Sequence, residues 1–149
     1  MPKADSRSDG DIVRAAVRCW LACRQAGQRL LAEQNVDMTF EQAMVLFILE
    51  ERDGSDLRTI AEHADRDRST ITRMVDGLER RNLVVRVPDQ NDARRRLIYL
   101  THQGRQQLAY FKTMRADFNK VALKGIPSGD IRSAIDTLNR ICENMGLEL

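Results

Sequence analysis

The side chains best suited to chemistry in this sequence lie between Arg68 and Arg80, in the run RSTITRMVDGLER. Ser69, Thr72, Arg73, Asp76 and Arg80 fall on one side of a helix at 3.6 residues per turn, with Arg68 and Thr70 on its flanks. Short hydroxyls and planar guanidinium groups hydrogen-bond base edges and phosphate oxygens. A second set of the same kind, Asp92, Arg94, Arg95 and Arg96, follows in NDARRR. Neither set pairs a nucleophile with a base or gathers metal ligands, so the chemistry on offer is recognition. An ordinary amphipathic surface helix would explain the first set taken alone, and the flanking segments decide against it.

Ile71, Met74, Val75 and Leu78 recur at i, i+3, i+4 and i+7 and make an apolar stripe that must be buried. Upstream, Asp56 is a good N-cap for a helix of about eight residues whose stripe is Leu57, Ile60, Ala61 and Ala64. Only Asp65, Arg66 and Asp67 separate the two helices, with Asp67 placed to cap the second. So tight a junction predicts a helix-turn-helix. Downstream, LVVRVP (Leu83–Pro88) and RRLIYL (Arg95–Leu100) are β-branched, apolar runs around the polar hexapeptide DQNDAR, which predicts a hairpin with a charged tip. The expected fold is therefore mainly α with a small β-hairpin wing, a winged helix-turn-helix.

Three segments resemble the MarR family of bacterial transcription regulators: STITRMVDGLERRNLVVR (Ser69–Arg86), the wing NDARR (Asn91–Arg95) and LTHQG (Leu100–Gly104). The resemblance implies that Arg94 enters a DNA minor groove while Asp92 helps to hold the wing tip. It implies DNA contacts from Arg68, Ser69, Thr70, Thr72, Arg73, Asp92, Arg94, Arg95 and Arg96. Asn82 stands where many members have glycine, and asparagine tolerates the left-handed backbone a helix end requires. Gly77, inside the helix, is expected to mark a close approach to backbone or to DNA.

The chain has 149 residues, with 42% hydrophobic and 31% charged, as in a soluble globular protein. The net charge is only +2. From Arg66 to Arg96, however, nine arginines face five acids, so this segment carries an excess of four positive charges and the remainder is net negative. Arginine suits bidentate contacts to phosphate and guanine, although a high-GC coding bias would favour it too. No apolar run is long enough to span a membrane, and no leader pattern opens the chain, so a cytoplasmic location is expected. Three cysteines argue for reduced thiols rather than a disulfide framework.

Residues 1–10 are small and polar and are expected to be disordered. From Asp11 to residue 37, Ile12, Ala16, Cys19, Trp20, Cys23, Ala26 and Leu30 recur at three- and four-residue steps, and Val13, Val17, Leu21 and Leu31 broaden the apolar surface. Residues 38–101 would form the DNA-binding lobe, which opens on a T-x-x-Q capping box at Thr39 and Gln42. In residues 102–149 a helix from Thr101 carries Leu108, Phe111, Met114, Phe118 and Val121. After the break KGIPSG a last stripe runs through Ile131, Ile135, Leu138, Ile141, Cys142 and Met145. Both ends of the chain thus present apolar helices in search of a partner, and a symmetric homodimer is the economical solution.

Within the family, small aromatic effectors often bind between the dimer helices and the DNA-binding lobe. Trp20, Phe47, Phe111 and Phe118 would line such a space, though their plainer reading is core. Cys19 and Cys23 share a helical face, and some family members sense oxidants through a cysteine of the first helix, but the surrounding sequence is different here and both read as structural, like Cys142. His63 and His102 assemble no zinc site. No phosphate-binding glycine loop, H-E-x-x-H or nucleophile elbow is present, so neither an enzyme nor a cofactor is expected. The competing reading is a winged helix used for protein interaction; the arginines at the wing tip favour double-stranded DNA.

Overall fold

The computed structural model describes residues 6–146. Six helices and three short strands follow one another as α1 (Ser6–Glu33), α2 (Phe40–Glu51), β1 (Ser55–Asp56), α3 (Leu57–Ala64), α4 (Arg68–Arg80), β2 (Val84–Pro88), β3 (Arg96–Leu100), α5 (His102–Ala122) and α6 (Ser128–Asn144). The chain divides into two units, one reaching Leu108 and the other beginning at Ala109.

In the first unit the stripes expected of α3 and α4 are buried. Ile60, Ile71, Val75 and Leu78 have no measurable exposure and share a core with Leu46 and Leu49 of α2 and Ile98 of β3. Met74, expected on the α4 stripe, and Leu57 and Ala64, expected on that of α3, are only half-buried. The caps fall where the residue types put them. Thr39 and Gln42 form a reciprocal box at the start of α2, Asp56 Oδ1 accepts from Thr59 N at 2.8 Å, and Asp67 Oδ1 accepts from Thr70 N at 2.9 Å. Asp65 closes α3 with φ of 49°. Asn82, beyond α4, takes φ of 56°, the left-handed conformation expected at that helix end.

The wing is a three-stranded antiparallel sheet in the order β1-β3-β2, with Val84 opposite Leu100 and Pro88 opposite Arg96. Each hairpin strand begins one residue later than the apolar runs suggest, and Arg95 belongs to the tip. The two-residue strand β1 is not signalled by its sequence. It exists because Ser55 and Asp56 pair with Ile98 and Leu97. Gly77 is buried, and a Cβ there would lie 2.6 Å from Gln42 Nε2. The close approach is thus to a side chain of α2, neither to backbone nor to DNA.

Two expectations about α1 need correction. The helix begins at Ser6, so residues 6–10 are helical rather than disordered, while the expectation for residues 1–5 lies outside the described residues. Cys19 is exposed, and Cys23 and Cys142 are half-buried, so none of the three is a core residue within one chain. Only the far end of α1 joins the core of the first unit. There Leu31 is buried, the Arg24 guanidinium meets Glu41 Oε1 at 2.5 Å, and Gln28 Oε1 accepts from Phe40 N at 2.9 Å.

In the second unit, exposure rises along α5 from buried Phe111 to Val121 at 77%. In α6 no described residue is buried; Ile135 and Leu138 are 51% and 42% exposed, and Met145, just beyond its end, 76%. No helix among the described residues is long and apolar enough to cross a membrane.

Candidate nucleic-acid interface

Helix α4 presents its polar side outward because its other side is held by the core. Arg68, Ser69, Arg73 and Arg80 are exposed, and Thr70 and Thr72 are half-buried. The first turn is organised by Asp67. Its carboxylate accepts from Ser69 Oγ at 2.5 Å, from Thr70 Oγ1 at 2.6 Å and from Thr70 N at 2.9 Å. Those donors, the Ser69 hydroxyl foremost, hold the Asp67 carboxyl well below the usual carboxylate range. Thr72 Oγ1 donates to the Arg68 carbonyl at 2.8 Å, and Arg73 Nη2 makes a long 3.4 Å contact to Thr70 Oγ1.

Asp76 departs from the expectation that it belongs to the open face. Arg86 of β2 donates through Nη2 to Asp76 Oδ1 at 2.5 Å and through Nη1 to Glu79, so both carboxylates are tied to the wing by one guanidinium. Arg95, expected to contact DNA, turns back. Its Nε donates to Asp56 Oδ2 at 2.7 Å and its Nη1 lies 3.6 Å from Asp89. The Thr59 N–H, and then Arg95, lower the Asp56 pKa. These ion pairs join residues 10 and 39 apart, and no local pattern marks them.

At the tip, Asp92 Oδ1 accepts from Arg94 N at 3.0 Å and the Asp92 carbonyl accepts from Arg95 N at 2.9 Å, which closes the turn beneath Arg94. Asp92, Arg94 and Arg96 are exposed. Among the described residues Arg68, Arg73, Arg80, Arg94 and Arg96 have no ion-pair partner, so α4 and the wing each keep cations open to an anion, as do Arg18 and Arg29 of α1 and Arg132 and Arg140 of α6. A shallow depression between α3 and α4 is lined by Arg58, Arg66 and Arg68 but also by Glu62, Asp65 and Asp67, and its mixed charge does not suit a small anion.

The four rings named as an effector site are distributed over both units. Trp20 is 51% exposed and Phe47 half-buried in the first; Phe111 is buried and Phe118 half-buried in the second. The Cys23 thiol is pushed up by burial and then by Cys19 beside it, opposite to the shift that makes a thiol reactive. No group of three or more metal-ligating side chains occurs among the described residues.

Comparison with known proteins places this geometry. Residues 38–95 match the MarR family model. The HTH-type transcriptional repressor IacR of Pseudomonas putida is 28% identical over 116 residues, which are 78% of this chain but 66% of that relative, just under two thirds of its length. A MarR-family regulator from Rhodococcus sp. RHA1 is 29% identical, with a TM-score of 0.78 over 93% of this chain and 96% of that one. The transcriptional repressor CouR bound to a 23-mer DNA duplex is similar at 25% identity, with a TM-score of 0.75 over 96% of this chain and 99% of that one.

Proposed function

Because this chain belongs to the MarR family of transcription regulators, we propose that it is a repressor that binds a palindromic operator as a homodimer. The observation that carries the reading is the pair of open cationic surfaces in one unit, Arg68 and Arg73 on α4 and Arg94 and Arg96 on the wing. Helix α4 enters the major groove, where Ser69, Thr70, Thr72 and Arg73 meet base edges and Arg68 a phosphate. The wing lays Arg94 into the adjacent minor groove on the turn closed by Asp92. Arg96 supports it electrostatically, and Arg95 acts at one remove by fixing the wing to Asp56. The similar repressors named above support the sign of regulation. The exposed apolar faces of α1 and α6 support the dimer, and with it a two-fold operator.

Release by a small aromatic effector, and residence in the cytoplasm, complete the proposal. The test is binding of Arg73→Ala, Arg94→Ala and the double variant to a panel of duplexes. Arg73→Ala should cost roughly 1–3 kcal/mol on the specific site and relax its sequence preference. Arg94→Ala should weaken all duplexes, and most those with narrow A/T-rich flanks. Unchanged affinity in the double variant would refute the reading.

A further inference from the structure

A hydroxyl has one proton to donate, and both hydroxyls that open α4 give theirs to Asp67. What Ser69 and Thr70 have left to offer are lone pairs. Thr70 Oγ1 already accepts the long contact from Arg73, whereas exposed Ser69 Oγ accepts from no group among the described residues. Asp67 stays ionised at any physiological pH, so this polarity is a fixed property of the turn.

On the basis of the DNA reading above, we propose that Asp67 determines specificity by fixing Ser69 as an acceptor, so that the first turn of α4 selects a base with an exocyclic amine in the major groove. Adenine N6 and cytosine N4 are donors there, while guanine O6 and N7 and thymine O4 are acceptors. An acceptor-only Ser69 pairs with the first two and faces the lone pairs of the others. The same polarity turns Ser69 away from phosphate oxygens, which only accept. Arg73, one helical turn further on, carries donors alone and has the opposite preference, for guanine. The half-site therefore combines an amine-bearing base with a guanine.

The experiment is selection of a randomised duplex library by the full chain and by its Asp67→Ser and Ser69→Ala variants, with thermal melting of each as a folding control. Serine at position 67 still caps the helix through Thr70 N, but its single neutral oxygen cannot also take both the Ser69 and Thr70 protons as the carboxylate does. The wild type should enrich adenine or cytosine at one position of each half-site. Removing the amine there, with purine for adenine or 2-pyrimidinone for cytosine, should weaken its binding about tenfold. Asp67→Ser should also accept guanine or thymine at that position, and Ser69→Ala should be insensitive to removal of the amine. Folded variants that select the wild-type sites with the wild-type sensitivity to the amine overturn the inference and leave DNA reading intact. A wild-type chain that selects no sequence overturns both.

Discussion

Arg95 Nε lies 2.7 Å from Asp56 Oδ2, and Asp56 Oδ1 caps α3 through Thr59 N at 2.8 Å, so a single carboxylate holds the wing and starts the helix-turn-helix. Arg94, its neighbour, has no such partner among the described residues. Adjacent arginines thus have different tasks, and the salt dependence of DNA binding separates them. Arg94→Ala should flatten the slope of log affinity against log salt by about 0.9. Arg95→Ala should leave the slope nearly unchanged and lower folding stability by ~0.2–1 kcal/mol, as a partly exposed ion pair does. Equal slopes for the two variants would show that Arg95 also meets phosphate.

Two glycines on the recognition unit differ in what surrounds them. A Cβ on Gly104 would sit 2.0 Å from the Leu83 carbonyl oxygen, a backbone atom that also accepts from Thr101 N at 3.1 Å. Gly104→Ala must move the chain where β2 and α5 approach, at a cost of ~1–3 kcal/mol. Gly77→Ala meets the amide of Gln42, whose Oε1 accepts from Thr39 N in the capping box of α2, and its gain in helix propensity of about 1 kcal/mol offsets the displacement. Urea unfolding should therefore show a clear loss for Gly104→Ala and little change for Gly77→Ala.

The lobe was legible in the sequence because its signals are local. Asp56 and Asp67 cap at fixed offsets from the apolar stripes, and β-branched runs flank a polar tip. The functional surface was only half legible. Composition counts Arg68, Arg86, Arg94 and Arg95 alike, yet Arg86 is neutralised by Asp76 and Glu79 and Arg95 by Asp56. Which arginines stay open depends on pairings across the fold, and strand β1 depends on a partner more than 40 residues away in the same sense. That Ser69 is an acceptor likewise follows from hydroxyl geometry, which residue types do not contain.

Helix α6 keeps Ile135 and Leu138 half open with no described residue of its own buried, an arrangement costly in water that the proposed homodimer would relieve. Sedimentation equilibrium of the full chain should give about twice its 17.1 kDa mass. Burial of each aliphatic side chain contributes roughly 1.5–3 kcal/mol. Ile135→Asp with Leu138→Asp, present in both protomers, should therefore weaken association more than about a hundredfold and return the mass to that of one chain. A double variant that stays dimeric would place the interface elsewhere.

Acid should weaken the recognition unit through its two capping carboxylates. Asp56 and Asp67 both have pKa values lowered from an ordinary value of 3.8, Asp56 chiefly by the Thr59 N–H and Asp67 chiefly by the Ser69 hydroxyl. The folded form thus binds these protons less tightly than the unfolded chain, and unfolding takes up protons in acid. Their stabilisation is present in full above the ordinary value and is lost as the pH falls through the lowered ones. Urea midpoints of the wild type should be flat with respect to these two groups between about pH 5 and 8 and should drop below about pH 4. Asp67→Asn keeps a capping oxygen but cannot titrate, so its midpoint should lie below that of the wild type at neutral pH and fall less steeply below about pH 4, the two curves converging in acid. Parallel acid limbs for the two proteins would mean that the Ser69 and Thr70 hydrogen bonds to Asp67 do not persist in solution, and the acceptor role of Ser69 would fail with them.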